Sequence, residues 1–474
     1  MALPLFRETD AESAFPYLEL TLVFALLVYF FETYLDVRQY RRLLDKVLPA
    51  TLKEAVQRVD ERRGKDLQPM AGEKQRNPSD NASDGTGEGE DKEKRDTRPL
   101  IERVQDKFVN AQEYGAAKKR FGFFQVGIMQ VESLAILVLG GMPWMWHTSV
   151  QFLDWAAPAW NTEILRSLVF VTLLTLYSTI INLPFSWYST FVIEQRFGFN
   201  KQTVGLFVQD KLKGLGLGFL IGFPVISVLI IIVRWAGPHF YIYAWLFMTA
   251  FSLFMVTIYP TVIAPCFNKF TPLEHGELRQ QIEDLARRLN FPLTRLFVVD
   301  GSKRSSHSNA YMFGFCNNKR IVLFDTLLGQ STNEEILAVL AHELGHWRHW
   351  HTLQMFFAQS AYTFASMWTF SHVLHSSDLY LSFGFSPDEM PVVVGLMLFF
   401  QAIWSPVDHV LSFLVNLWSR RNEYQADEHA VSLGYASQLQ SGLVKLHLEN
   451  LGTMSPDAWY SAYHFSHPPL TERL

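Results

Sequence analysis

The sequence predicts an all-α membrane protein carrying a small cytosolic α+β unit, and three observations lead there. First, seven apolar segments are long enough to cross a bilayer: residues 18–35, 123–146, 167–187, 215–233, 240–263, 353–374 and 392–418. Spanning the hydrocarbon takes roughly 20 mostly apolar residues. Second, 49% of the 474 residues are hydrophobic and only 18% are charged, against about 25% charge in a soluble globule. Third, charged loops separate the apolar segments. One such segment suits a buried helix of a soluble core; seven point to a membrane. The segment at 353–374 is the least apolar, with Gln354, Gln359, Ser360 and Thr363. The first segment follows an acidic stretch and precedes Arg38, Arg41, Arg42 and Lys46, the pattern of an uncleaved anchor.

The loops also predict an orientation, because Lys and Arg collect on the cytosolic side. Basic residues follow the first segment and the third (Arg196, Lys201, Lys211, Lys213), while 147–163 has none. Only Arg234, at the membrane edge, marks the fourth loop. A long basic stretch from Lys269 to His351 follows the fifth segment, 375–391 has none, and the chain emerges at Arg420 and Arg421. The expected N-terminus is outside or lumenal, and the long stretch and the C-terminus are cytosolic. The expected divisions are 1–263 (five spans), 264–352 (a cytosolic segment), 353–418 (two spans) and 419–474 (a cytosolic C-terminal segment). Residues 63–98 are rich in Asp, Glu, Lys, Gly, Ser and Asn and could fill no core, so they read as a disordered insertion. A net charge of −5 leaves no footprint for nucleic acid. Two cysteines, Cys266 and Cys316, build neither a disulfide framework nor a thiolate metal site.

Within 264–352, Leu278, Ile282, Leu285 and Leu289 give a helix one apolar face. Strand-like runs follow at 295–300, 309–315 and 320–324, with Asn317-Asn318 as a turn between the last two. Thr332-Asn333-Glu334-Glu335 reads as a capping box, opening a helix that runs into His342-Glu343-Leu344-Gly345-His346. Residues four apart share a helix face, so His342 and His346 can point at one ion. Glu343 sits one residue round, able to reach a water on that ion. Zinc lowers the pKa of its bound water to about 7, and a carboxylate can take the proton as a peptide carbonyl is attacked.

A tetrahedral catalytic site needs a third protein ligand. His349 is one candidate, but a third ligand so near on the same helix strains the tetrahedron. Glu423 is the better one: His346 lies just before the sixth segment and Glu423 just after the seventh, so two spans return the chain to the same face. Its alternative is a membrane-edge carboxylate paired with Arg420 or Arg421. Asp427, one turn on, is placed to accept the second ring N–H of a ligand histidine. Gly345 is costly inside a helix, by about 1 kcal/mol relative to Ala; close approach of a neighbouring element would explain it.

Four runs, His342 to Trp347, Glu423 to Asp427, Ser308-Asn309-Ala310-Tyr311 and Ser466-His467-Pro468-Pro469, together resemble the type I CaaX prenyl proteases over nearly the whole chain. The resemblance implies seven helices enclosing a water-filled chamber, with polar Glu132, Gln401 and Asp408 compatible with a wet interior. It implies one Zn2+ per chain bound by His342, His346 and Glu423, with Glu343 as general base. Asn309, Ala310 and Tyr311 would hold the substrate backbone as an added strand. His467 would donate to the oxyanion, and Arg473 would pair with Asp427 or another site carboxylate. The bland readings are a strand-end turn for Asn309 and a structural role beside Pro468-Pro469 for His467. The implied substrate is a prenylated (farnesylated) CaaX protein at a membrane lipid surface, losing its last three residues, with a second upstream cut in some members. The implied location is the endoplasmic reticulum membrane or the inner nuclear membrane, with the site facing the cytosol. Rival readings are an HtpX-like quality-control metalloprotease, an intramembrane site-2-type protease, and a transporter with an incidental motif.

Overall fold

The computed structural model describes residues 15–66, 98–315, 318–386 and 388–474. Most of the expected insertion (67–97) and Asn317 of the expected turn lie outside the described residues. The chain begins with α1 (Tyr17–Leu43), α2 (Ala50–Asp66), α3 (Leu100–Val138), α4 (Gly141–Ala156), α5 (Glu163–Tyr188), α6 (Val204–Ala236) and α7 (Phe240–Ile258), all but α2 contributing to the membrane body. Then come β1 (Phe270–Pro272), α8 (Glu277–Arg288), β2 (Leu293–Val299), β3 (Ala310–Phe315), β4 (Asn318–Phe324), α9 (Asp325–Gln330) and α10 (Asn333–Arg348). The chain returns to the body as α11 (His351–Val373), α12 (Ser377–Ser382), α13 (Val392–Leu398) and α14 (Ser405–Ser432). It ends in α15 (Ala436–Glu449), α16 (Ala458–His464) and α17 (Leu470–Arg473).

Among the described residues, five helical segments are long and apolar enough to cross a membrane: Tyr17–Leu43, Leu100–Val138, Glu163–Glu194, Val204–Cys266 and Val392–Ser432. Seven were expected. As one helix the 63-residue segment would run roughly 95 Å at about 1.5 Å per residue. Instead the chain turns at Gly237, whose φ is 55°, and α6 packs on α7. The expected segment at 353–374 forms α11, whose polar side chains keep it below that apolarity. The expected second segment, 123–146, is not one helix. Gly140, in the left-handed region at φ 71°, ends α3 and opens α4. Between 6% and 17% of each span's most apolar window is buried inside the protein, so most of the apolar surface of the spans is turned outward from the packed interior.

α3 starts 23 residues before the apolar run at 123 because its first turns serve a different core. Leu52 and Val56 of α2 and Val104 and Phe108 of α3 are buried with Ile282 of α8, Ile321 of β4 and Leu340 of α10. The sheet has the order β1-β2-β4-β3, with β2 and β4 parallel and the outer pairs antiparallel. β3 is therefore an edge. Phe324 N–H donates to the Asn309 carbonyl at 3.1 Å. By the alternation of an antiparallel pair, Ala310, Met312 and Gly314 turn their backbone groups to the open side.

The helix that carries the motif is fixed at its start. Thr332 accepts from the Glu335 N–H, and Glu335 accepts from the Thr332 N–H, the expected capping box. Glu335 is buried, and it also accepts from Lys445 Nζ at 2.7 Å and the Ser441 hydroxyl at 2.6 Å, both on α15. Burial opposes its charge, but Lys445 and Ser441 outweigh that and hold the carboxyl below its ordinary value. Removing one partner of a buried ion pair costs about 3–5 kcal/mol. Glu335→Ala is therefore expected to lower the thermal midpoint sharply, and Glu335→Leu with Lys445→Met to recover much of it. The stabilisation is present above about pH 4.3, the ordinary carboxylate value, and is lost as pH falls through the lower folded value. Equal stability of Glu335→Ala and wild type in calorimetry would contradict this.

Candidate metal centre

α10 and α14 cross closely enough to bring two parts of the chain 77 residues apart (346 to 423) onto one point. Gly345 allows it. A Cβ there would lie 3.0 Å from Ala426 Cα, 3.1 Å from Ala426 O and 3.1 Å from His429 Cβ. Overpacking against backbone costs about 1–3 kcal/mol, which outweighs the helix propensity that Ala gains. Gly345→Ala is expected to lower the thermal midpoint and slow turnover, by forcing α14 and Glu423 away from the histidines. An unchanged midpoint would contradict it.

His342 Nε2 lies 3.2 Å from His346 Nε2. Glu423 supplies Oε2 at 3.5 Å from the first and Oε1 at 3.3 Å from the second. Ligands about 2.0–2.2 Å from a tetrahedral zinc stand roughly 3.3–3.6 Å apart. The three groups converge at spacings close to these, with each carboxylate oxygen turned to one histidine. Glu423 Oε2 is buried with no hydrogen-bond partner among the described residues, which leaves a lone pair free for a metal ion. The residues fit a metal. His349, by contrast, caps α10 and stacks on His351 at 5.5 Å, outside this group.

His342 Nδ1 is 2.8 Å from Asp427 Oδ1, so Nδ1–H donates to the carboxylate and Nε2 is the nitrogen turned to the other two groups. Arg473 donates to Asp427 through Nε at 2.8 Å and its terminal nitrogen at 2.6 Å, and its other terminal nitrogen lies 3.6 Å from Glu423 Oε2. The Arg473 side chain is buried here, held by that pair. Burial disfavours charge on His342, but Asp427 and Glu423 push the imidazole up to about 9, and a metal on Nε2 would stand where that added proton sits. Glu343 has no hydrogen-bond donor among the described residues, and burial raises its carboxyl above the ordinary value.

His342, Glu343, His346, Glu423 and Arg473 line one cavity of about 460 Å³ together with Ser308, Asn309, Ala310 and His467. His467 Nε2 is 3.3 Å from Glu423 Oε1, and its side chain is 66% exposed. Ser466 Oγ lies 3.0 Å from its Nδ1. The Asn309 Oδ1 accepts from the Ala310 N–H at 2.8 Å, so only its amide nitrogen can donate to a ligand. Asn450 Oδ1 accepts from the Ser308 N–H at 3.1 Å and fixes the approach to β3. Tyr311 is placed differently from expectation. It does not line the cavity; its backbone faces β4 and its ring packs near Phe313 and Phe324. Three residues were given no site role in the sequence: His351, read only as a membrane-edge histidine, which contacts His346; Gln425, which contacts His351; and Asn450. The position of Gln425, two residues after Glu423 and two before Asp427, was the available signal.

A multi-span helical body with a histidine–histidine–carboxylate centre on a cavity wall defines a membrane metalloprotease, a hydrolase. Residues 98–269 match the family described as CAAX prenyl protease N-terminal, five membrane helices, and 272–474 match Peptidase family M48. The CAAX prenyl protease 1 homolog of Oryza sativa subsp. japonica is 46% identical, covering 97% of this chain and 97% of that protein. CAAX prenyl protease 1 of Saccharomyces cerevisiae is 36% identical, covering 95% and 93%. The crystal structure of S. mikatae Ste24p superposes with a TM-score of 0.81 at 36% identity, covering 98% of this chain and 99% of that one. The chain belongs to peptidase family M48, within its membrane-embedded CAAX prenyl protease branch.

Proposed function

We propose that the chain is a zinc endopeptidase that removes the last three residues of prenylated CaaX proteins at the cytosolic face of the endoplasmic reticulum or inner nuclear membrane. The observation that carries the chemistry is the convergence of His342, His346 and Glu423 at ligand-edge distances. The names of the rice and yeast relatives support the substrate class.

Zinc bound by these three residues supplies a Lewis acid that acidifies a water and polarises the scissile carbonyl. Everything else falls to the chain's own groups. Glu343, unbonded and raised by burial, takes the proton from the attacking water and passes it to the leaving amine. The open edge of β3 pairs with an extended substrate, and the Asn309 amide adds a donor to its backbone. If the Ser466 hydroxyl donates to Nδ1, His467 carries its hydrogen on Nε2 and can donate to the developing oxyanion. Arg473 and Asp427 hold His342 in register.

The test is release of the terminal tripeptide from a farnesylated CaaX peptide and from its unprenylated twin by purified protein. Preferential cleavage of the farnesylated peptide is expected. Equal cleavage of both would favour a quality-control protease, and cleavage of neither would sink the reading.

A further inference from the structure

We propose that His351 is a positioning residue for the metal centre, fixing the tautomer and ring plane of His346, and is itself fixed by Gln425. This inference rests on the metal reading proposed above. His346 Nδ1 lies 2.9 Å from His351 Nδ1, and His351 Nε2 lies 2.9 Å from Gln425 Oε1. An amide oxygen only accepts, so His351 Nε2 carries hydrogen and its Nδ1 presents a lone pair. His346 must then donate from Nδ1, which leaves its Nε2 lone pair facing His342 Nε2 and Glu423 Oε1. One chain of donors and acceptors thus leaves one tautomer at the ligand.

The local fold is shaped for this contact. Trp350 takes the left-handed conformation, φ 60°, between α10 and α11, a backbone state that bulky residues rarely adopt. The turn brings His351 back beneath His346, where it is 3% exposed. α14 then serves both histidines: Glu423 joins the ligand set, Asp427 backs His342, and Gln425 between them backs His346 through His351. His342 has an anionic partner and His346 a neutral one. The ring stacked on His351 is His349 at 5.5 Å, so a packing role is the competing account.

Three variants of the full-length protein separate the two accounts, read by zinc retention against a chelator and by the absorption spectrum of the cobalt-substituted protein. His351→Phe keeps a ring and removes both nitrogens. It is expected to weaken zinc binding about 10–100-fold, the usual effect of losing such a partner, and to alter the cobalt spectrum. His351→Gln restores an acceptor towards His346 and a donor towards Gln425, so most of the affinity should return. Gln425→Leu should cost less than His351→Phe, and the double variant should be no worse than His351→Phe alone. His351→Phe with wild-type zinc affinity and spectrum overturns the inference alone. So does failure of His351→Gln to exceed His351→Phe. If His351→Phe does not fold, a Gln425→Leu protein indistinguishable from wild type overturns it. Wild-type protein that holds no zinc overturns both this inference and the metal reading.

Discussion

Glu423→Ala is expected to empty the metal centre and abolish proteolysis while leaving the membrane body folded. Glu423 is the one residue of the three that α10 does not supply, and two histidines alone cannot close a tetrahedral site. Its side chain is 6% exposed and its Oε2 has no hydrogen-bond partner among the described residues. In the metal-free chain the carboxylate also faces Arg473 at 3.6 Å and His467 at 3.3 Å, so stripped Glu423→Ala protein should lose some thermal stability without unfolding. Zinc content measured by elemental analysis should fall towards zero. A Glu423→Ala protein that keeps zinc and activity would return the third position to a different residue.

Glu343→Gln should do the opposite: zinc stays and turnover goes. Glu343 lies beside the ligand group without a ligand distance to it, and the amide keeps the side chain's size while removing the base. General acid–base catalysis contributes about 10²–10⁴-fold, so turnover should fall by at least roughly 10³ with substrate affinity little changed. A small loss, or zinc lost along with activity, would assign Glu343 to the metal rather than to the proton. The pair of variants thus separates holding the ion from using it.

The candidate ligand set was legible in the sequence because both of its rules are one-dimensional. Helical spacing puts His342 and His346 on one face, and the return of the chain through α11 to α14 brings Glu423 to them. Gly345 was legible as an anomaly, and the Ala426 backbone at 3.0 Å from its absent Cβ supplies the cause. What the sequence hid was three-dimensional. His351 reads as a membrane-edge histidine until the Trp350 turn folds it beneath His346. Tyr311 follows Asn309 in sequence, yet strand alternation gives the open edge to Ala310 and Met312. Hydropathy saw α3 only where it is apolar, and so missed that its first turns pack with α2 beneath the motif helix. The same method read 353–374 as a span on length, although its Gln and Ser side chains leave α11 less apolar than the five other segments.

The most direct test of the whole account is a zinc titration. Purified protein is stripped with a chelator, zinc is returned in steps, and tripeptide release from a farnesylated CaaX peptide is followed. The account predicts no release from stripped protein, then a linear rise that levels off at about one zinc per chain, as a three-ligand catalytic site requires. Release by the stripped protein, or a plateau that arrives only at two zinc ions per chain, would contradict it.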